Sequence, residues 1–318
     1  MNLILALLAS LVLLQASRAV AKQEEKHVGD SRVLRKKCEL PTFRGIYVFG
    51  DGLSDIGNIH SIDQKAAPTG RATDGKVAVE YLSQKLGVPL AASMHLVTDH
   101  PPGCNFAVRG ALSIPADAPP LSPSSADAKE HRLPEQISAF LDRHASKRVP
   151  PDALYVVAAG YEDVVGAATA IDGGEIKMYE ARRHLGLAAS TVAEGVRALI
   201  DRGARYVIVA GPPDAGAAPR FADRRSKIPA RRAGRLTEDM YDKTESAIEE
   251  VECSTGVEVV RVDTFGAVDD VRYDFHTDTF PNSDGHAVLG EIMIKALEKS
   301  VCRNGRFPEK NLNACERN

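Results

Sequence analysis

Three stretches of the chain gather the side chains from which acid–base or nucleophilic chemistry is built. The first is Phe49-Gly50-Asp51-Gly52-Leu53-Ser54-Asp55-Ile56-Gly57-Asn58, where one hydroxyl stands between two carboxylates. The second is Gly160-Tyr161-Glu162-Asp163. The third runs from Asp274 and His276 through Thr277, Asp278 and Phe280 to His286. A serine hydroxyl is a weak nucleophile until an imidazole takes its proton and a third group orients that imidazole. Spacing favours no metal. His60, His95 and His100 make no H-x-x-x-H pattern, and Cys38, Cys104, Cys253, Cys302 and Cys315 form no C-x-x-C pair. A zinc site and a thioredoxin-like motif are therefore not expected, and no cofactor is implied.

The elements that must position these residues alternate. Residues 46–49 form a short apolar run ending at Gly50, a first strand. Residues 77–86 have helical periodicity and stop at Gly87. A Pro/Ser/Ala-rich stretch, 113–130, reads as a long loop, and 133–144 as a helix with Leu133, Ile137, Phe140 and Leu141 on one face. Strands are expected at 154–158, 206–210 and 257–262, and helices at 180–202, 236–253 and 287–301. Short β-branched runs separated by helices predict a parallel sheet covered on both faces. Sites in such sheets form at the carboxyl ends of the strands, which points to the residues just beyond Phe49, Ala158, Ala210 and Asp263.

With 318 residues, 44% apolar and 26% charged, the chain is neither disordered nor fibrous in composition. Forty Lys+Arg against 43 Asp+Glu give a net charge of −3, so no general attraction to nucleic acid or anionic membrane is expected. There is no Trp, which excludes stacking platforms built on it. Seven Arg or Lys fall within residues 220–235; a solvated flank is the plainer reading, an anion-binding patch the alternative. Residues 3–14 are apolar except Ser10 and lead into Ala16, Ser17, Ala19 and Ala21, the pattern of a secretory signal peptide. Twelve helical residues span roughly 18 Å, short of a ~30 Å hydrocarbon core. The expected organisation is a signal peptide over 1–21, a charged tail over 22–40, one domain over 41–302 and a C-terminal tail over 303–318. Secretion predicts one or two disulfides and an odd thiol. Cys302 with Cys315 would clip the tail, although spacing leaves the connectivity open. No N-x-[ST] triplet occurs, so N-glycosylation is not expected.

The first block resembles the F-G-D-S-L-S-D-x-G-N opening of plant GDSL esterase/lipases, in the SGNH hydrolase superfamily. The resemblance continues in order. Pro68-Thr69-Gly70-Arg71 with Asp74-Gly75-Lys76 is similar to P-T-G-R-x-x-D-G-[KR], and Asn105-Phe106-Ala107-Val108-Arg109-Gly110-Ala111 to N-F-A-x-G-G-A. Gly160-Tyr161-Glu162-Asp163 stands where the family has G-x-N-D. Gly203-Ala204-Arg205 precedes a strand that ends in Gly211-Pro212-Pro213, and Pro281 and His286 fit the closing H-P-T-x-x-x-H spacing. The resemblance implies a flavodoxin-like three-layer α/β/α sandwich with a central parallel sheet. It also implies ester hydrolysis by a Ser–His–Asp triad with an oxyanion hole.

Carried over position by position, that chemistry is missing. The nucleophile position is Gly52, the base position Phe280 and the orienting position Thr277. The oxyanion-hole positions are Gly52, Gly110 and Glu162; an ionised Glu162 accepts hydrogen bonds but donates none. Asp51, Ser54, Arg109, Asp278 and His286 are candidates to line the cleft. Ser54 also matches a family serine beside the nucleophile, which favours a structural role. Using His276 and Asp274 as base and orienter would shift the closing loop by about one helical turn, ~5 Å. The sequence therefore points to a secreted GDSL-like protein, extracellular or in the cell wall, without hydrolase activity. It would bind a small acylated or lipid-like ligand, or a protein partner. The alternative is an active ester hydrolase or acyltransferase with a relocated nucleophile. A third reading is a purely structural or partner-binding protein whose cleft is closed by Phe280. Arg109 and Glu162 are expected to face each other across the former oxyanion hole, since a partly buried charge is costly unless paired.

Overall fold

The computed structural model describes residues 40–65, 70–95, 103–119, 121, 129–144, 148–222, 226–266, 274–304 and 315. The expected signal peptide, Cys38 and nearly all of the charged tail lie outside them. Six strands among the described residues pair in parallel: β1 (Gly45–Gly50), β2 (Ala91–Ala92), β3 (Gly103–Asn105), β4 (Ala153–Ala158), β5 (Tyr206–Ala210) and β6 (Val260–Val262). Their order is β2-β3-β1-β4-β5-β6. Leaving out the two-residue β2, this is the 2-1-3-4-5 winding of flavodoxin-like folds.

Seven helices accompany them: α1 (Asn58–Ile62), α2 (Ala78–Leu86), α3 (Leu133–Arg143), α4 (Tyr161–Asp172), α5 (Met178–Asp201), α6 (Ile228–Thr255) and α7 (Ser283–Asn304). Strand residues alternate between two cores. Ile46, Val48, Leu154, Val156 and Ile208 pack with Leu82 of α2 and Leu289, Met293 and Leu297 of α7. Tyr47, Phe49, Tyr155, Val157 and Val207 face Phe140 of α3, Leu185 of α5 and Met240 of α6. Burial on both faces explains why β1 and β4 are buried at every position. The result is the expected α/β/α sandwich. Among the described residues no helix is long and apolar enough to cross a membrane.

The order of the strands locates the crevice. From β1 the chain winds to β3 on one side and then to β4 on the other, so the winding reverses between β1 and β4. Ligands in such sheets bind outside the carboxyl ends at that reversal. Asp51 and Gly52 leave β1 there, and Tyr161 and Glu162 come after β4.

Several elements depart from the sequence pattern. α4 escapes it because small residues such as Ala167, Ala168 and Ala170 lie on most of its turns and blur its periodicity. β2 and β3 are too short to show alternation. α6 begins at Ile228, ahead of the apolar pattern, with Pro in its first turn where the missing N–H costs nothing. The Cys302–Cys315 clip does not form. Cys315 is bonded to Cys253 at the end of α6, with Cα atoms 5.8 Å apart, and Cys302 is engaged in another disulfide. Cys104, inside β3, is the free thiol, and burial pushes it up to about 12. In the basic stretch Arg220 pairs with Asp278 and Arg232 with Asp172, while Arg231 and Arg235 are exposed.

Candidate functional site

The loop after β1 is held by its own carboxylates. Asp51 accepts the Leu53 N–H at 3.1 Å and reaches across the winding reversal to the first N–H groups of α4, Tyr161 at 2.9 Å and Glu162 at 3.4 Å. Burial pushes its carboxyl up to about 8, the neighbouring Glu162 charge adds to this, and the Leu53 and Tyr161 N–H groups oppose it. Asp55 accepts four backbone N–H groups: Gly57 at 2.8 Å, Asn58 at 2.7 Å, Ile59 at 3.0 Å and Arg109 at 2.9 Å. Asn58 donates to the carbonyls of Asn105 and Ala107, and Asn105 donates to that of Ser54. Two of the sequence blocks are thus knotted into one floor. Ser54 belongs to that floor: its N–H bonds the Asp51 carbonyl, and it lines a cavity of about 20 Å³ with Leu289 and Met293 of α7.

Above the floor, the space beside Gly52 is filled. A Cβ on Gly52 would lie 2.6 Å from two ring carbons of Phe280 and 3.0 Å from Glu162 Oε1. Gly52 is not among the positive-φ glycines, so its backbone would accept a side chain and the obstacle is the ring. Phe280 is 3% exposed and packs in the core with Tyr161, ring centroids 6.1 Å apart. Its loop is tied down. Tyr161 donates its hydroxyl to the Thr279 carbonyl, and the N–H groups of His276 and Thr277 donate to the Phe280 carbonyl at 2.9 and 3.3 Å. Thr277 Oγ1 accepts the Phe280 N–H at 2.9 Å, so this residue shapes the turn that presents the ring. Asp278, expected in the cleft, points outward instead. The chain turns between Thr277 and Phe280, and Asp278, within that turn, is exposed and paired with Arg220 at 2.8 Å.

The Gly110 N–H is engaged as well. Gly110 adopts φ +83°, a conformation that favours glycine, and donates its N–H to Glu162 Oε1 at 3.0 Å. The Arg109 guanidinium lies over the Phe280 ring, 5.0 Å from its centroid. Burial holds the Glu162 carboxyl above its ordinary range, against the pull of the Gly110 N–H and the Arg109 charge. Arg109 and Glu162 thus attract one another here, while the guanidinium rests on the aromatic face. The Gly110 N–H is thus taken up by a side-chain oxygen of this chain.

The raised Glu162 carboxyl makes a prediction with a definite sign. Stability gained from the neutral form is complete below the unfolded value and is lost as pH rises through the folded one. Glu162→Gln keeps an acceptor for Gly110 and removes that loss. Measured by urea unfolding, the variant should gain on the wild-type protein as pH rises above the ordinary glutamate range. An unchanged difference would show that the carboxyl is not held in an unfavourable ionised state.

His286 lies in the first turn of α7, 1% exposed, and neither ring nitrogen has a hydrogen-bond partner. Burial pulls it down to about 4, and Asp74 is the charge opposing this. Asp74 also accepts the Ser283 N–H at 2.7 Å, so His286 is a neutral, buried ring beside the Asp74 that ties the start of α7. Below pH 6.5 the unfolded chain takes up a proton that the folded one refuses, so stability falls from pH 6.5 toward pH 4. At pH 5 the loss is about 2 kcal/mol. His286→Leu should flatten that fall in urea unfolding while costing little at pH 7; an equally steep fall would assign the acid sensitivity elsewhere.

A buried triad of residue types occurs in the core. Asp163 binds His184 Nε2 at 2.8 Å and accepts the Ser113 N–H at 2.9 Å. The carboxylate engages the serine's backbone, and none of the three is more than 8% exposed, so this is a packing element. Spacing along the chain carries no signal for it. Nor does spacing reveal Tyr161 as the tie for the Phe280 loop, although the residue lies within the Gly160–Asp163 block.

The family described as GDSL-like Lipase/Acylhydrolase matches residues 46–293. Among curated proteins, the chain is 28% identical over 183 residues to Lipase 1 of Photorhabdus luminescens, covering 57% of this chain and 24% of that protein. It is 27% identical over 139 residues to Inactive GDSL esterase/lipase-like protein 25 of Arabidopsis thaliana, covering 39% and 31%. It is 27% identical over 205 residues to Acetylajmalan esterase 2 of Rauvolfia serpentina, covering 56% and 55%. The matches thus span between a quarter and about half of these relatives' length. Among solved structures, a mutant of Axe2, an acetyl-xylooligosaccharide esterase from Geobacillus Stearmophilus, is 16% identical, covering 82% of this chain and 96% of that one, with a TM-score of 0.45. The six ordered blocks, the parallel sheet with its crevice at the β1–β4 reversal, and a family match over most of the chain agree: this protein belongs to the GDSL-like lipase/acylhydrolase family.

Proposed function

We propose that this chain is a GDSL-type protein without ester hydrolase activity that acts by binding, either a small acylated or lipid-like ligand or a protein partner. One observation carries the reading: the Phe280 ring occupies the space into which a side chain at position 52 would project. A hydrolase of this type needs a hydroxyl there, an imidazole beside it and a free oxyanion donor. The chain has a glycine, a benzyl ring and a donor already bound to Glu162. The apolar stretch at residues 3–14 supports secretion to the extracellular space or cell wall. The other reading, an ester hydrolase or acyltransferase with a relocated nucleophile, would need Ser54 to serve. That residue is 1% exposed and built into the loop floor. A serine-reactive fluorophosphonate probe separates the two. It should leave this protein unlabelled under conditions that label an active GDSL esterase; labelling that Ser54→Ala abolishes would establish the relocated nucleophile.

A further inference from the structure

We propose that a groove at the amino ends of β4, β5 and β6, opposite the Gly52 site, binds a small polyanion through Arg148, Arg197 and Arg205. The groove has a volume of about 390 Å³ and is also lined by Gly203, Ser254 and Asp201. That is within the range of small-molecule sites, about 300–1,000 Å³. Several other surface arginines meet carboxylates: Arg44 with Asp152, Arg182 with Asp239, Arg220 with Asp278 and Arg261 with Glu245. Among the described residues no carboxylate pairs with Arg148, Arg197 or Arg205, and the single acid in the groove, Asp201, leaves a local excess of two positive charges.

The fold sets two of these arginines in place. A Cβ on Gly203 would fall 3.3 Å from the Arg148 side chain, so the glycine provides the flat backbone along which that stem lies. Arg197 donates to Ser254 Oγ, which fixes its head against the end of α6. Three arginines line this groove against a single carboxylate, and an anion with several oxygens can accept paired N–H bonds from them. The chain as a whole is negative, so the attraction is local to the groove. Phosphate and carboxylate groups share the required chemistry.

Pyrophosphate and citrate, titrated separately into the full chain by calorimetry at low ionic strength, distinguish these two sources. At least one should bind, and sodium chloride at equal ionic strength should produce no saturable heat. The double variant Arg148→Gln/Arg205→Gln should weaken binding at least tenfold, and each single variant by less. All substitute exposed residues, and their melting curves without ligand should match the wild-type curve. Arg231→Gln/Arg235→Gln, two exposed arginines on α6, should bind as tightly as wild type. Absence of binding by both probes, equal affinity in the Arg148/Arg205 variant, or an equal loss in the α6 control would overturn the assignment.

Discussion

Gly52→Ser should leave the protein without esterase activity and destabilise it by about 3 kcal/mol. In an intact GDSL site the serine would create the nucleophile. Here its Cβ would sit 2.6 Å from the Phe280 ring, which is held by the Tyr161–Thr279 and Thr277–Phe280 bonds and cannot swing aside freely. Because the backbone at 52 tolerates a side chain, the penalty belongs to the pair of residues. Phe280→Ala in the Gly52→Ser background should therefore cost less than Phe280→Ala alone, a coupling that a double-mutant cycle in urea measures directly. Additive costs would mean that the ring is not the obstacle. Activity should return only in combination. Gly52→Ser, Phe280→His and Thr277→Asp rebuild nucleophile, base and orienter, groups that work as a unit. The rebuilt protein still presents Glu162 to the Gly110 N–H, a defect worth about 10²–10³ in rate. Glu162→Asn should raise p-nitrophenyl butyrate turnover in the triple variant and do nothing for activity in the wild-type background. Robust turnover from Gly52→Ser alone would place a competent base elsewhere.

Asp55→Ala should destabilise the fold by on the order of 5 kcal/mol, enough to unfold a marginal domain. The carboxylate is 0% exposed and accepts N–H groups from Gly57, Asn58, Ile59 and Arg109. Alanine would leave all four buried donors without an acceptor, each costing about 1–3 kcal/mol. Asp55→Asn should be milder, since its amide carbonyl can still accept some of these bonds. Thermal melts of the two variants decide it. Similar melting points for Asp55→Ala and wild type would show that water replaces the carboxylate, and that the floor beneath Gly52 does not depend on it.

The layers and the crevice are legible in the sequence because β1, β4 and β5 are apolar runs buried on both faces, each leading into a turn block. α4 is hidden by its small residues, and β3 by having only three positions. At the site, motif spacing names Gly52, Gly110, Glu162, Thr277 and Phe280, since those positions are fixed by chain order. What spacing cannot supply is direction. Asp278 and Phe280 are two residues apart, yet one meets solvent and Arg220 while the other enters the core. Likewise His286 matches a motif histidine but is a buried ring whose nitrogens find no hydrogen-bond partner among the described residues, and the charge beside it, Asp74, is distant in sequence. The Cys253–Cys315 bond closes over a separation of 62 residues and depends on where the tail returns, which no local pattern records.

We propose that the family's hydrolytic centre is filled from within here, by Phe280 against Gly52 and by Glu162 on the Gly110 N–H. Turnover of p-nitrophenyl butyrate by the full chain, side by side with Ser54→Ala, tests it most directly. Without nucleophile and base an intact scaffold retains at most ~10³–10⁴-fold over water, and the occupied donor erodes even that. The predicted result is no turnover above buffer for either protein; steady multiple turnover by the wild-type chain that Ser54→Ala abolishes would contradict it.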